Sequence, residues 1–196
     1  MLITITGIDG CGKSLQVDML QTCLKRNNRP SIITKAYDDM AKLACRPFID
    51  TWTDDTAIMF LFQALHAQQY ADTLQALQKG FIVIADRWDE TFLAYHQNFG
   101  FLSCQKEIRV LLNQLAFRKH LPEKGFLIKV PVEVAKRRRE NRGKVEKLEN
   151  RSNEYYEVIQ QTLLDISLER NWSILDGTKT PKEIHEEIVD SLNIQV

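Results

Sequence analysis

The sequence predicts a three-layer α/β fold, in which helices cover both faces of a five-stranded parallel sheet. Five short apolar stretches alternate with segments of helical periodicity, and this alternation favours parallel pairing. Two of the stretches, 81–85 and 126–130, are apolar almost throughout, as expected for strands that are buried on both faces. A glycine-rich loop directly after the first strand completes the pattern.

The glycine-rich loop has the sequence Gly7-Ile8-Asp9-Gly10-Cys11-Gly12-Lys13-Ser14, which fits the P-loop pattern G-x-x-x-x-G-K-[ST] at every fixed position. It lies between a β-rich stretch at 2–6 and a helical stripe over about 13–26, which is the context that the motif needs. Glycines let backbone N–H groups surround phosphate oxygens, and the N-terminus of the following helix attracts the same anion. The sequence therefore predicts a P-loop NTPase fold.

The P-loop also predicts how ATP would be held. Lys13 is expected to reach the β- and γ-phosphates, and the Ser14 hydroxyl to ligate Mg²⁺. Cys11 stands near the helix N-terminus, which could lower its pKa, but the simpler interpretation is a small residue that fills a variable position of the loop. The predicted ATP-binding residues are Gly7, Asp9, Gly10, Cys11, Gly12, Lys13, Ser14 and Leu15.

The later elements follow from apolar periodicity and from capping residues. Asp54 and Asp55 can cap a long helix, and Gly80 lies just past its end. Pro131 suits the first turn of a helix, and the segment 180–183 combines a capping box with an early proline. After the first helix we expect a strand at 31–35, an irregular stretch with a short helix at 36–54, a long helix at 56–79, a strand at 81–85, helices near 90–98 and 104–118, a strand at 126–130, a helix through 136–139, a helix at 152–170, a strand at 172–175 and a final helix after 180.

Composition limits the class of protein. The length of 196 residues favours one domain, predicted here as a single P-loop kinase domain over 1–196. The 26 Lys and Arg balance the 26 Asp and Glu, which argues against a nucleic-acid partner and favours a small phosphorylated ligand. No stretch is long enough to cross a membrane, no secretory segment is recognisable, and the four cysteines are scattered. We therefore expect reduced thiols and a cytoplasmic protein without a membrane partner.

Two further charged motifs accompany the P-loop. Asp86 and Arg87 follow the strand at 81–85, and in a parallel sheet they would reach the same rim as the P-loop. An aspartate in this position supports Mg²⁺ in P-loop enzymes, and an arginine beside it can clamp a phosphate. The basic run 135–143 is most simply a solvated helix face, but near a P-loop its arginines can cover a transferring phosphoryl group.

With these motifs the chain resembles thymidylate kinases, the P-loop enzymes that phosphorylate dTMP from ATP. The resemblance runs almost end to end, and the Asp-Arg-aromatic block with Ala-Tyr at its spacing is its most specific part. The matching segments are the P-loop at 7–14, the helix segment 61–68, Asp86-Arg87-Trp88 with Thr91 and Ala94-Tyr95, the segment 142–149, and Tyr155-Tyr156.

The resemblance implies roles on the acceptor side. Asp9 would contact the 3′-hydroxyl of the acceptor nucleotide and lie near Mg²⁺, and Phe62 would stack on the pyrimidine. Arg87 would hold the acceptor phosphate, and Tyr95 would crowd the 2′ position and favour deoxyribose. Without the resemblance, Phe62 and Tyr95 are equally consistent with core aromatics. The predicted acceptor-binding residues are Asp9, Phe62, His66, Arg87, Thr91 and Tyr95.

The resemblance also implies a basic lid at about 136–150. Arg138 and Arg142 match lid arginines, and Glu149 matches an acid at the end of the lid. Position 10 is glycine and not the arginine that some members carry in the P-loop, so the chain resembles the subclass whose catalytic arginines come from the lid. The predicted catalytic residues are Lys13, Arg87, Arg138, Arg142 and Asp9, and the predicted metal ligands are Ser14, Asp86 and Asp9.

Three departures from the family pattern lie on the acceptor side. His66 stands where the family usually has an arginine that reads the base and phosphate, and His96 replaces a glutamine. The family's Arg-Glu-Pro after strand 2 is here Lys35-Ala36-Tyr37. The donor side is intact, so phosphoryl transfer from ATP is better supported than the identity of the acceptor.

The sequence thus predicts an ATP- and Mg²⁺-dependent nucleoside-monophosphate kinase that converts dTMP to dTDP. One alternative is a kinase for another nucleotide or for a deoxynucleoside. A nucleoside acceptor needs a carboxylate base after strand 2, where Ala36 offers none and Asp38 or Asp39 would have to serve. The other alternative is a non-catalytic nucleotide-binding protein. The family resemblance also implies a homodimer.

Overall fold

The structure, a computed structural model, describes residues 1–143 and 149–194. Its centre is one five-stranded sheet with the strand order β2-β3-β1-β4-β5, and every pair of neighbouring strands is parallel. The strands are β1 (Leu2–Thr6), β2 (Ser31–Thr34), β3 (Ile82–Asp86), β4 (Lys124–Lys129) and β5 (Ser173–Asp176). The predicted α/β class with a five-stranded parallel sheet is confirmed.

Helices connect the strands and cover the sheet. In the described part of the chain they are α1 (Lys13–Arg26), α2 (Asp39–Thr51), α3 (Asp55–Gln78), α4 (Asp89–Gln97), α5 (Lys106–Phe117), α6 (Val132–Asn141), α7 (Asn153–Glu169) and α8 (Pro181–Ser191), with a short 3₁₀ helix at Phe101–Cys104. The long helix α3 and the final helix α8 begin at the capping residues that the sequence predicts. Asp54 accepts hydrogen bonds from two backbone N–H groups, and Thr180 forms a capping box with Glu183.

One segment is more regular than its sequence indicates. The stretch at 36–54, expected to be irregular with a short helix, contains the 13-residue helix α2, which Asp38 caps by accepting a hydrogen bond from the Ala41 backbone N–H. Pro47 lies inside this helix and removes one backbone donor. A helix with an internal proline is difficult to predict from sequence, because proline normally indicates the end of a helix.

The sheet is buried on both faces. Val83 and Ala85 pack in one cluster with Phe117 of α5. Ile84, which points to the opposite face, belongs to a larger cluster that contains Leu20 of α1. The helices therefore form two layers around the sheet, as the three-layer prediction requires.

Three neighbouring strands bring the charged motifs to one rim. β1 ends at the P-loop, and its register with β3 pairs Ile5 with Asp86. On the other side of β3, Thr34 of β2 pairs with Ala85, so Lys35 follows beside Asp86.

Within the described residues, no helix is long and apolar enough to cross a membrane.

Candidate active site

The P-loop connects β1 to α1 and is closely covered by α6. Gly10 has a φ of 90°, and a Cβ at this position would overlap the backbone carbonyl of Ala135 and crowd the Arg139 side chain. Glycine is therefore required by conformation and by space. A P-loop arginine at position 10 would not fit beneath α6 in this arrangement, and the assignment to the lid-arginine subclass stays a prediction.

Asp9 lies at the centre of an ionic cluster. Its Oδ1 accepts hydrogen bonds from Lys13 Nζ at 3.1 Å and from an Arg87 guanidinium nitrogen at 2.6 Å. Its Oδ2 accepts one from the Tyr95 hydroxyl at 3.3 Å. Burial opposes ionisation of Asp9, but the charges of Arg87 and Lys13 outweigh it and hold the pKa of Asp9 well below its usual range. The carboxylate thus ties the P-loop lysine to two residues that lie beyond β3.

Arg87 is held in an unusual backbone conformation. Its φ is 75°, in the left-handed region, and its carbonyl accepts a hydrogen bond from Gln69 Nε2 of α3 at 3.1 Å. The guanidinium lies over the Tyr95 ring at 5.6 Å. One guanidinium nitrogen binds Asp9, while Nη1 is buried and has no protein partner among the described residues. A buried cationic donor without a partner is suited to bind an anion such as a phosphate.

The candidate metal ligands meet at the end of β3. Ser14 Oγ donates to Asp86 Oδ2 at 2.9 Å, and Lys35 Nζ donates to the same oxygen at 3.0 Å. Burial opposes ionisation of Asp86, but the charges of Lys13, Lys35 and Arg87 together lower its pKa below the usual value. Asp86 Oδ1 is buried without a hydrogen-bond partner in the described part of the chain.

The donor set fits Mg²⁺ but not an all-protein metal cage. Mg²⁺ prefers oxygen ligands and commonly takes one or two from the protein and the rest from phosphates and water. Ser14 and Asp86 supply such oxygens, including Asp86 Oδ1, for which the described residues offer no hydrogen-bond partner. The described residues contain no cluster of three or more His, Cys, Asp or Glu side chains for a metal. The Asp9 carboxylate is engaged by Lys13, Arg87 and Tyr95, so its role as a metal ligand stays a prediction.

The predicted base-binding side is aromatic. Phe62 is partly buried and contacts the Tyr37 ring, with 5.4 Å between ring centroids. His66 is buried among Phe62, Phe92 and Phe117, with centroid distances of 6.5, 6.3 and 5.2 Å. His66 therefore packs behind Phe62 in this aromatic cluster, and little of its own surface is exposed.

Both histidines on this side are uncharged at neutral pH. Burial, with a smaller contribution from His96, lowers the pKa of His66 to about 4. Burial also lowers the pKa of His96 to about 4, and its ring packs on Phe92 at 4.7 Å. Neither can replace the positive charge of the family's arginine at position 66. Thr91, the remaining predicted acceptor residue, donates its hydroxyl to buried Glu90 at 3.2 Å.

Helix α6 brings two arginines onto the P-loop backbone. Arg138 donates to the carbonyl oxygens of Cys11 at 3.3 Å and Gly177 at 3.0 Å. Arg139, which sequence reasoning did not select, donates to the Asp9 carbonyl and lies 4.0 Å from the Tyr156 ring. Its spacing of four residues from the small residue Ala135 was the available signal, since both then face the P-loop.

The predicted lid is described only in part. Arg142 pairs with Glu149 at 2.9 Å, across the segment 144–148, which lies outside the described residues. Cys11 is buried, and burial raises the pKa of its thiol, so the structure favours the interpretation of Cys11 as a small filler. Leu15 lies in the first turn of α1 and is half exposed.

Comparison with known proteins gives a consistent result. A family model described as thymidylate kinase matches residues 5–188. The thymidylate kinase of Fervidobacterium nodosum is 34% identical over 201 residues, which cover 98% of each chain. The thymidylate kinase of Carboxydothermus hydrogenoformans is 29% identical, covering 95% of this chain and 93% of the relative. That of Kosmotoga olearia is also 29% identical, with 96% and 93% covered.

Proposed function

The chain belongs to the thymidylate kinase family, and we propose that it transfers the γ-phosphate of ATP to dTMP, giving dTDP and ADP. One observation carries the proposal. The P-loop lysine Lys13 and the phosphate-clamp candidate Arg87 bind the same carboxylate oxygen of Asp9. A donor site and an acceptor site that share one residue place two phosphates next to each other, as transfer between them requires.

On the donor side, the P-loop would hold the ATP phosphates. Backbone N–H groups of residues 7–15 and the Lys13 ammonium surround the β- and γ-phosphates in this proposal. Ser14 and Asp86 would hold Mg²⁺, which neutralises charge on the phosphates when it is bound. The support for this is their shared hydrogen bond and Asp86 Oδ1, which is buried without a partner among the residues that the structure describes.

On the acceptor side, Arg87 would bind the dTMP phosphate through Nη1, which has no hydrogen-bond partner among the described residues. Asp9 accepts the 3′-hydroxyl, and Tyr95 limits space at the 2′ position. Phe62, in contact with Tyr37, would stack on the thymine ring. Because His66 is buried and neutral, it supports Phe62 instead of reading the base by charge.

The transfer itself needs positioning and charge neutralisation more than proton chemistry. The acceptor phosphate is already ionised at neutral pH, so no general base is required. Lys13 and Arg87 stabilise the charge that spreads over the transferring phosphoryl group, and Arg138 and Arg142 would add to it from the lid. A closed lid would also exclude water and so suppress hydrolysis of ATP.

The proposal is tested by measuring ADP formation with Mg·ATP and a panel of nucleosides and nucleoside monophosphates. Preference for dTMP, with dTDP identified as the product, is the expected result. Turnover of a different monophosphate would keep the reaction class and replace the acceptor. Binding of ATP without turnover of any acceptor would contradict the proposal and favour a non-catalytic protein.

We also propose that the whole chain is one kinase domain that works as a cytoplasmic homodimer without nucleic-acid or membrane partners. All four cysteines are free thiols, which suits a reducing compartment. Helices α3 and α5 pack together, and they and the adjoining 3₁₀ helix carry exposed apolar side chains that a second copy could cover. These side chains are Phe60, Phe101, Ile108, Leu111 and Leu115. Light scattering on the purified chain decides between one copy and two.

A further inference from the structure

Lys35 does not lie on the acceptor side, where its position after β2 in the family pattern would put it. By resemblance it belongs to an acceptor-side segment, but the structure places it against Asp86, a candidate metal residue. The reason is the sheet order. Strands β2 and β3 are parallel neighbours with Thr34 opposite Ala85, so the next residues, Lys35 and Asp86, leave the sheet side by side.

The contact between Lys35 and Asp86 is close, and one partner is free to move. Lys35 Nζ is 3.0 Å from Asp86 Oδ2, which also accepts the Ser14 hydroxyl at 2.9 Å. The Asp86 side chain is only 3% exposed, whereas that of Lys35 is 34% exposed. Asp86 is thus fixed in the rim, and Lys35 reaches it from the solvent side on a flexible stem.

We propose that Lys35 is a built-in counter-ion that neutralises Asp86 in the metal-free protein and leaves it when Mg·ATP binds. The proposal rests on the proposed function only in taking Mg·ATP as the donor. Lys35 binds the same Asp86 oxygen as Ser14, so its ammonium lies beside two of the three predicted Mg²⁺ ligands. Two cations at one buried carboxylate repel each other, and the partly exposed lysine is the one that can withdraw into water.

A counter-ion of this kind has a measurable consequence. Without Lys35, Asp86 loses the cation that contacts its carboxylate directly, and the negative charge at this oxygen is balanced less completely in the metal-free protein. That charge repels metal-free ATP, whereas in Mg·ATP the Mg²⁺ ion is attracted to it and offsets the repulsion of the phosphates. Removal of Lys35 should therefore increase the preference of the protein for Mg·ATP over metal-free ATP. If Lys35 instead assisted metal binding, its removal would decrease that preference.

The experiment compares ATP affinity with and without metal by calorimetry, so it needs no turnover. ATP is titrated in EDTA and again in excess Mg²⁺ into the wild type, Lys35→Met and Lys35→Arg. Lys42→Met is the matched control, since Lys42 lies on α2 and forms an ion pair with exposed Asp39 at 3.7 Å. We expect the ratio of the two dissociation constants to rise about tenfold in Lys35→Met, a usual size for coupling between two bound groups. It should stay near the wild-type value in Lys35→Arg and in Lys42→Met.

An unchanged or reduced ratio in Lys35→Met would overturn the inference, as would an equal rise in Lys42→Met. Thermal melts verify that each variant folds. If Lys35→Met does not fold, Lys35→Gln replaces it in the experiment. The two proposals fail separately. If the wild type phosphorylates dTMP but the ratio does not move, only the counter-ion is wrong. If the ratio moves but no acceptor is phosphorylated, only the proposed function is wrong.

Discussion

An Arg87 guanidinium nitrogen lies 2.6 Å from Asp9 Oδ1, so the end of β3 is joined directly to the P-loop. The pair is largely shielded from water, with side-chain exposures of 17% and 25%. The Asp9 carboxylate thereby fixes the direction of a cation whose remaining nitrogen, Nη1, is unpartnered in the described part of the chain. Catalysis by positioning depends on such fixed directions.

Replacing Arg87 with lysine should therefore damage acceptor use despite the retained charge. A single ammonium cannot bind Asp9 and a phosphate in the geometry of the planar guanidinium. We expect kcat/KM for dTMP to fall by about 100-fold, through a higher KM and a lower kcat, with the dissociation constant of ATP changed by less than about twofold. Steady-state kinetics and ATP calorimetry measure the two quantities. Arg26→Lys, at the exposed end of α1, is the control. A change confined to ATP affinity would show that Arg87 serves the donor.

Replacing Lys13 with methionine should abolish most of the transfer and leave the fold intact. Lys13 is only 8% exposed, so methionine, which keeps most of the aliphatic stem, is a better replacement than alanine. Asp9 retains Arg87 as a partner in this variant. We expect kcat to fall by about 10²–10³-fold, because one fixed cation at the transferring phosphoryl group is lost. Lys25→Met, on the exposed last turn of α1, should keep full activity. Normal turnover by Lys13→Met would remove the P-loop assignment.

Gly10→Ala should destabilise the protein because α6 lies on the P-loop. The new methyl would overlap the Ala135 carbonyl, and φ is 90°. Gly80 separates these two effects, because its φ is 82° but no non-adjacent residue in the described part of the chain lies within 4 Å of an added Cβ. Urea unfolding should show a loss of about 1–3 kcal/mol more for Gly10→Ala than for Gly80→Ala. Equal losses would mean that α6 does not restrict the P-loop.

Most of the fold could be predicted from local signals, because the strands, the caps and the P-loop each have their own sequence pattern, whereas Pro47 obscured helix α2. Thr180 and Glu183 define a capping box within four residues, and the P-loop pattern is complete within eight residues. The ionic partners could not be predicted in this way. Lys35 meets Asp86 only because β2 lies beside β3, and strand order is a property of the whole chain. Gln69, which holds the Arg87 carbonyl, had no local signal either.

Acidification should weaken the fold through His66. Its pKa is about 4 in the folded protein, against an ordinary value of 6.5, because it is buried among aromatic rings. Between these values the unfolded chain binds the proton and the folded protein does not, so stability is lost as pH falls below 6.5. At pH 5 this costs on the order of 2 kcal/mol relative to pH 7. Urea unfolding at pH 7 and pH 5 gives the decrease in the free energy of unfolding between the two. In His66→Met this decrease should be smaller than in the wild type by about 2 kcal/mol. An undiminished loss in His66→Met would mean that His66 is not buried as a neutral ring.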